Sequence, residues 1–222
     1  VINQKGNDQA IRFYNNSANA SSTNILNIAG GTVQAGGIFI DNCNCTVVSE
    51  INVASGTLNG LLDFNQVKDN LAVNIAGGTH ALSKIKVRGS CSNTGPFITI
   101  AGGSIDLAAV QFDQASPALV VKGGTFADNS IKATIQGFIP VNYAARDNAD
   151  PPNTWSAYLQ YMCQIAGGAK YESLAAAFAD AVAEDTIQVI EDAEYNYPVG
   201  ALLALTKSTD KITLDLNGHT IG

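Results

Sequence analysis

The feature that most constrains the fold of this chain is a repeated phrase of eight residues. In each phrase, two apolar residues flank one further residue. A small or polar residue comes next, followed by a pair that contains glycine. The phrase ends on a residue with a hydroxyl group and a position that is mostly apolar. The alternation predicts a strand with one buried face, and the glycines predict a turn after it. The phrase occurs at Leu26–Val33, Ile51–Leu58, Val73–His80, Ile98–Ile105 and Leu119–Phe126, and a related form closes the chain at Leu214–Ile221.

The spacing of the phrase indicates the architecture. Its hydroxyl residue steps from position 32 to 57, 79, 104 and 125, which gives intervals of 25, 22, 25 and 21 residues. One turn of a parallel β-helix, here called a rung, holds about three strands of 4–6 residues and fills such an interval. A leucine-rich repeat would need its Leu-x-x-Leu-x-Leu-x-x-Asn signature, and a β-sandwich would not repeat one phrase so regularly. We therefore predict an all-β, right-handed parallel β-helix (a solenoid) with a small α/β insert.

The hydroxyl residues of the phrase form a candidate surface. If the rungs stack in register, these side chains lie one above another at the strand spacing of about 4.8 Å. Such a row could bind ordered water or a repetitive glycan, although local hydrogen bonds to the glycine turn would also use these hydroxyls. We call this set the hydroxyl row, and it comprises Thr32, Thr57, Thr79, Ser104 and Thr125.

Composition limits the partners. Only 14% of the residues are charged and the net charge is −7, with 12 Lys and Arg scattered along the chain. This distribution argues against a nucleic-acid partner, because no basic patch is available to neutralise phosphates. The sequence also has no apolar run of the length that spans a bilayer, so we expect no membrane span in this segment. We predict instead an extracellular or cell-surface location, with a polar surface made by Asn, Ser, Thr, Gln and Gly.

The cysteines and the glycosylation sequons leave alternatives open. Disulfides and buried free thiols are both compatible with the four cysteines, whose spacing fits no zinc motif. These candidates for disulfides are Cys43, Cys45, Cys91 and Cys163. Three Asn-x-Ser/Thr sequons begin at Asn15, Asn19 and Asn44, and they matter only if the source organism glycosylates its proteins.

The sequence pattern changes after the last full phrase, and we place the domain boundaries from this change. Residues 1–126 are predicted to be solenoid rungs, 127–163 a closing segment of loops and strands, and 164–222 a helix-containing cap that leads into the next rung. Short strands are expected within 131–144 and 155–160. The apolar stripe of Leu174, Phe178, Ala181 and Val182 predicts a helix over 172–183. Its expected role is to cover the open end of the solenoid.

In its organisation roughly the whole chain resembles the repetitive β-helical surface proteins of gut-associated and other Gram-positive bacteria, and the resemblance is sharpest in about the last 100 residues. The resemblance lies in Gly123–Phe126, the late Trp155, and the segments Tyr171–Ala177, Asp185–Val189 and Ile212–Ile221. It implies a secreted or cell-surface protein of pectate-lyase-like architecture, and it brings no catalytic residues to this chain. In that pattern the last segment begins a new unit, so we expect one unit of a tandem array or of a head-to-tail filament.

The main alternative is a carbohydrate-active enzyme, either a polysaccharide lyase or a glycoside hydrolase. Such enzymes need acids or bases that converge on one face. Candidate acids are scattered at Asp106, Asp113, Glu191, Asp192 and Glu194. The bases Lys84, Lys86 and Arg88 alternate along one strand, which is more typical of a solvated face, and His80 and His219 occupy strand positions of the phrase.

We therefore predict a non-enzymatic structural or adhesive module, with no catalytic, cofactor or metal site. The sequence contains no phosphate-binding loop, no Ser-centred elbow and no calcium repeat. The expected partners are other copies of the module, which associate head to tail, and a glycan or a host surface. A glycan-binding surface module without a structural role remains the third alternative.

Overall fold

A computed structural model describes residues 2–3, 11–14, 24–34, 38–41, 48–128, 130–140, 142–149, 151–190 and 211–219 of the chain. The chain forms two compact units, Val1–Tyr158 and Leu159–Gly222. The division falls within 127–163, which the sequence predicts to be one closing segment.

The first unit is a parallel β-helix, as the repeat predicts. Its strands stack in parallel register over about seven turns, and each repeated phrase pairs with the next one along the chain. Its described strands are β1 (Ile2–Asn3), β2 (Ile11–Tyr14), β3 (Asn24–Gln34), β4 (Ile38–Asp41), β5 (Ser49–Asn65), β6 (Leu71–Ile75), β7 (Thr79–Val87), β8 (Ile98–Leu107), β9 (Val110–Phe112), β10 (Leu119–Phe126), β11 (Tyr143–Asp147) and β12 (Trp155–Leu159), the last of which ends just past the unit boundary.

The core of this unit consists of inward side chains that stack from rung to rung. One inward row follows the hydroxyl row by a single residue, and the strand register places its members directly against one another. Burying an aliphatic or aromatic side chain stabilises the fold by about 1.5–3 kcal/mol, so the repeated row is a large part of the stability. This inward row comprises Val33, Leu58, His80, Ile105 and Phe126, all buried.

The glycines of the phrase are required by the close stacking of the turns. Gly78 has φ +103°, a backbone conformation that glycine adopts without steric cost. A Cβ atom on Gly77, whose φ is not positive, would lie 2.5 Å from the carbonyl oxygen of Ala54 in the preceding rung. The first glycine of the pair therefore allows close approach of two rungs, and the second allows the turn itself.

The last rung is covered by a cap segment, residues 130–158, which belongs to the same unit. Trp155 is fully buried and stacks on Phe126 with ring centroids 4.1 Å apart, and its Nε1–H donates to the carbonyl of Asp128 at 3.0 Å. β12 pairs antiparallel with the end of β10, which interrupts the parallel stacking.

The strand expected within 131–144 is partly wrong. Lys132–Gln136 forms the helix α1, and only Tyr143–Asp147 is extended. Ile131 and Ile135 are buried in the solenoid core, which explains the apolar residues there.

The second unit has its own small core. Its strands are β13 (Cys163–Ile165), β14 (Lys170–Tyr171), β15 (Thr186–Val189) and β16 (Thr213–Asp215), in the order β14-β13-β15-β16. β13 is antiparallel to both of its neighbours, whereas β15 and β16 are parallel. The return of parallel pairing occurs where the sequence predicts a new rung.

The predicted helix exists but is shorter than expected. The helix α2 spans Leu174–Asp180, because the Ser173 hydroxyl caps it by accepting from the N–H of Ala176, and Ala181 already has extended ψ. Val182 is exposed, so its predicted place in the apolar stripe is wrong. Leu174 and Phe178 pack with Cys163 in the core of the second unit, and there they cover that unit's own sheet.

Candidate functional site

The hydroxyl row is continuous in the structure. The strand register pairs Thr32 with Thr57, Thr57 with Thr79, Thr79 with Ser104, and Ser104 with Thr125. Each of these side chains is partly or fully exposed, since it occupies the outward position between the glycine turn and the inward row. The row therefore presents hydroxyls at the strand spacing of about 4.8 Å.

The closing strand extends the row by one further hydroxyl. Ser156 of β12 lies opposite Thr125, and their hydroxyl oxygens are 3.1 Å apart. The Ser156 hydroxyl also donates to the side-chain carbonyl of Asn148 at 3.1 Å. The Thr125 hydroxyl, the last of the hydroxyl row, is thus hydrogen-bonded to the cap segment. The sequence did not predict this contact.

A second outward row, of amides, lies on the strand before the glycine turn. Asn52 Nδ2 donates to Asn27 Oδ1 at 3.1 Å, and Asn74 Nδ2 donates to Asn52 Oδ1 at 2.9 Å. We call Asn27, Asn52 and Asn74 the amide row. This row was not predicted, although its signal was present as Asn at the middle position of three successive phrases.

Several charged groups lie on the third strand of the rung, which consists of β4, the end of β5, the end of β7 and β9. Arg88 donates from Nε and Nη2 to the two carboxylate oxygens of Asp63, at 2.9 and 2.7 Å, and its guanidinium lies 5.4 Å from the ring centroid of Phe39. The hydrogen bonds from Arg88 to Asp63 raise the pKa of the guanidinium. Asp41 accepts from Asn65 Nδ2 at 3.1 Å, so both buried carboxylates bond to side chains of neighbouring rungs.

The other candidates for acid–base chemistry are also placed by the structure. Lys84 Nζ donates to Gln111 Oε1 at 3.1 Å, and Gln111 Nε2 in turn donates to Asp113. Lys86 and Asp106 occupy outward positions of their strands, on different faces of the rung. Glu191, Asp192 and Glu194 lie outside the described residues.

The two histidines differ in their surroundings. His80 is buried in the inward row, where its ring nitrogens bond to the backbone at Leu58 and Gly77. Burial lowers the pKa of His80, and the bond to Gly77 only partly opposes this shift. His219 follows the turn after β16 and is partly exposed.

Cys91 and Cys163 are buried free thiols in different units. Burial raises the pKa of Cys91 and raises that of Cys163 to about 11, so both thiols are protonated at neutral pH. Cys43 and Cys45 lie outside the described residues, as do the sequons at Asn15, Asn19 and Asn44, so for these two cysteines both the disulfide and the free-thiol alternatives stay open.

Metal sites and membrane spans can be assessed for the described residues. Within that part of the chain, no three His, Cys, Asp or Glu side chains come together as a metal site. None of its helices combines the length and hydropathy needed to cross a membrane.

The fold and its outward rows define the chain as a parallel β-solenoid whose polar side chains stack rung on rung. Comparisons with protein-family models, with curated proteins and with solved structures find no match to this chain.

Proposed function

We propose that this chain is a non-enzymatic, extracellular structural or adhesive module, used as one unit of a tandem array. The observation that carries the proposal is the way its polar side chains are hydrogen-bonded. The outward groups of successive rungs bond to one another, as in the amide row and in the Arg88–Asp63 pair. Groups engaged in this way stabilise a regular surface and are held away from the roles that an acid–base catalyst needs.

The cap segment favours the tandem array over a filament that grows by edge-to-edge stacking. Because Trp155 and β12 cover the end of the last solenoid rung, a second copy cannot continue the parallel sheet there. The parallel pair β15 and β16 then supports the start of a new set of rungs within the same chain.

The hydroxyl row supports the adhesive part of the proposal. A straight row of evenly spaced donors and acceptors matches a ligand that repeats along one direction, such as a polysaccharide. On the third strand, Lys84 bonds to Gln111 and Arg88 bonds to Asp63, so the hydroxyl row is the more accessible face for an uncharged glycan.

Binding assays with a matched pair of variants test the adhesive role. The full chain is incubated with insoluble and soluble polysaccharides, and both bound protein and released sugar ends are measured. We expect the double variant Thr57→Val/Thr79→Val, which keeps side-chain shape, to lose binding. Thr99→Val, an outward threonine on the strand of the amide row, is the control that keeps it. Release of reducing or unsaturated ends by the unmodified chain would overturn the proposal.

Electron microscopy and sedimentation across a wide concentration series test the structural role. We expect a discrete particle from the single chain, and a longer rod from two copies of the chain joined in tandem. Filaments from the single chain would contradict the assignment of the cap segment as an end. A tandem dimer that behaves as two independently tumbling units, and that binds no polysaccharide, would contradict the proposed function as a whole.

A further inference from the structure

One member of the inward row is ionisable. His80 takes the position that Leu58 occupies in the preceding rung and Ile105 in the following one. Its side chain is as buried as theirs, with 1% of the residue exposed. A titratable group at a core position of a stacked row is unusual, because the charged form of the group loses most of its hydration there.

The hydrogen bonds of His80 determine its protonation state. The N–H of Leu58 donates to Nδ1 at 3.2 Å, so Nδ1 carries no proton. Nε2 lies 2.9 Å from the carbonyl oxygen of Gly77, which can only accept, so Nε2 carries the proton. The structure thus needs the neutral imidazole with hydrogen on Nε2, and this ring bonds to the preceding rung and to its own turn.

The packing around the imidazole leaves it little freedom. A Cβ atom added to Gly78 would lie 2.9 Å from His80 Cε1, which places the ring directly against the glycine turn. This position and the two backbone hydrogen bonds define one orientation of the ring, against the glycine turn.

We propose that His80 is an acid-sensitive latch between two rungs: a proton added at Nδ1 removes the acceptor of the Leu58 N–H and weakens the solenoid. The added proton also points at that N–H, so a favourable contact becomes a repulsive one. The latch holds at neutral pH and opens as the medium becomes acidic. It is independent of the proposed adhesive function.

The groups that face His80 do not offset the charge. On the strands packed against it, the described inward residues are uncharged, and all but Ser49 of β5 are apolar; they include Leu58 and Val53 on β5, Ile75 on β6, and Ile105 and Leu107 on β8. The charged residues of those strands and of β7 lie at outward positions, and they are Glu50, Asp63, Lys84, Lys86 and Asp106. Accordingly, the pKa of His80 is lowered by burial, with the Gly77 carbonyl as the opposing contribution.

The sign of the pH effect follows from this direction. Because the pKa of His80 is lower in the folded than in the unfolded state, the unfolded chain takes up the proton first as pH falls. The stabilisation is fully present above the unfolded value of about 6.5 and is lost as pH falls from there through the folded value. One such group raises the unfolding equilibrium constant by at most about tenfold per pH unit.

Because the chain has only two histidines, the effect of His80 on stability can be separated from that of the other histidine by mutating each in turn. Denaturant midpoints of the full chain are measured between about pH 7.5 and pH 5, where histidine is the main side chain to titrate. We expect the midpoint of the solenoid to fall across this range, to stay nearly constant in His80→Leu, and to fall as before in the control His219→Gln. An equal fall in His80→Leu and in the unmodified chain would overturn the proposal.

A measurement on the unmodified chain covers the case in which His80→Leu does not fold. Nitrogen-15 NMR of the imidazoles reports the tautomer and the titration midpoint of each histidine directly. We expect the Nε2–H form for His80 and a midpoint below that of a histidine in the unfolded chain. A midpoint at or above that value, or the Nδ1–H tautomer, would refute the latch.

Discussion

In the solenoid unit, the inward side chains of a rung are covered by the rungs on either side, whereas the second unit covers its sheet with the α2 helix, and in its described residues β16 is the outermost strand. Ile187 of β15 is fully buried, and its partner Leu214 on β16 is 39% exposed although the two residues are in register. Leu216, which faces the same side two residues on, is 45% exposed.

This difference shows that burial in a stacked fold depends on the next strand as much as on the residue itself. The phrase at Leu214–Ile221 has the same apolar alternation as the solenoid phrases, yet in the described residues β16 pairs only with β15. The solenoid avoids this exposure at its last rung because Trp155 and the cap segment supply the missing cover. Stability in such a fold is close to a sum of rung and neighbour contributions, so the cover of a terminal rung acts locally.

The largest effect is expected at the cap of the solenoid. Trp155→Ala removes the ring that stacks on Phe126 and should lower the free energy of unfolding of the first unit by about 3–5 kcal/mol. The measurement is guanidinium unfolding, with hydrogen exchange of the β10 amides to locate the loss. Tyr161→Ala, at a residue that is 39% exposed in the second unit, is the control and should change stability by less than about 0.5 kcal/mol.

The second prediction compares the two registered positions in the second unit. Ile187→Ala should destabilise that unit by about 2–4 kcal/mol, since the residue is fully buried in its core. Leu214→Ala should cost clearly less, because its side chain already contacts water. Thermal unfolding of both variants measures the two losses of stability. Equal losses would show that β16 is covered in solution.

A third prediction concerns the close approach of the glycine turns. Gly77→Ala should cost about 1–3 kcal/mol, because the new methyl group meets the Ala54 carbonyl in the preceding rung. Gly30→Ala, at the same place in an earlier turn where the structure has open space, should be neutral or stabilising by about 0.4–1 kcal/mol. The free energies of unfolding of the two variants are measured in urea. Their difference gives the effect of contact with the preceding rung.

The smallest effect is expected in the polar rows. Asn52→Ala breaks the bonds to Asn27 and Asn74 and should cost about 1 kcal/mol, since the groups left behind can bond to water. In the second unit, Gln188 bridges Gln164 and Asp215 through similar but longer bonds of 3.2 and 3.4 Å. Gln188→Ala should therefore cost less than Asn52→Ala, and a larger loss would contradict the view that the solenoid rows are the better formed ones.

Much of the solenoid could be predicted from the repeat. The phrase identified the strands, and the intervals of 21–25 residues implied the parallel register that brings Thr32, Thr57 and Thr79 together. The same intervals contained the amide row, which was not predicted because an outward Asn by itself is typical of any solvated strand. The Arg88–Asp63 pair, by contrast, is diagonal, because Asp63 is in register with Lys86 and not with Arg88, so the register alone did not reveal it.

The cap could not be predicted from local pattern. Residues 131–144 contain β-branched residues that suggest a strand, but Ile131 and Ile135 are both buried when Lys132–Gln136 is helical, and this tertiary packing outweighs the local preference. The helix α2 was predicted as the cover of the solenoid end, whereas its buried residues Leu174 and Phe178 contact the sheet of the second unit.

By itself, the sequence determined the class of fold, because a repeated phrase with period-two alternation and glycine turns can bury its apolar residues only by stacking on copies of itself. The tertiary structure decided where stacking stops, which polar groups bond across rungs, and which helix covers which core. Those outcomes depend on contacts between residues that are distant in sequence. Trp155 meets Phe126 outside the repeat, and Arg88 reaches Asp63 and not a residue in register with it.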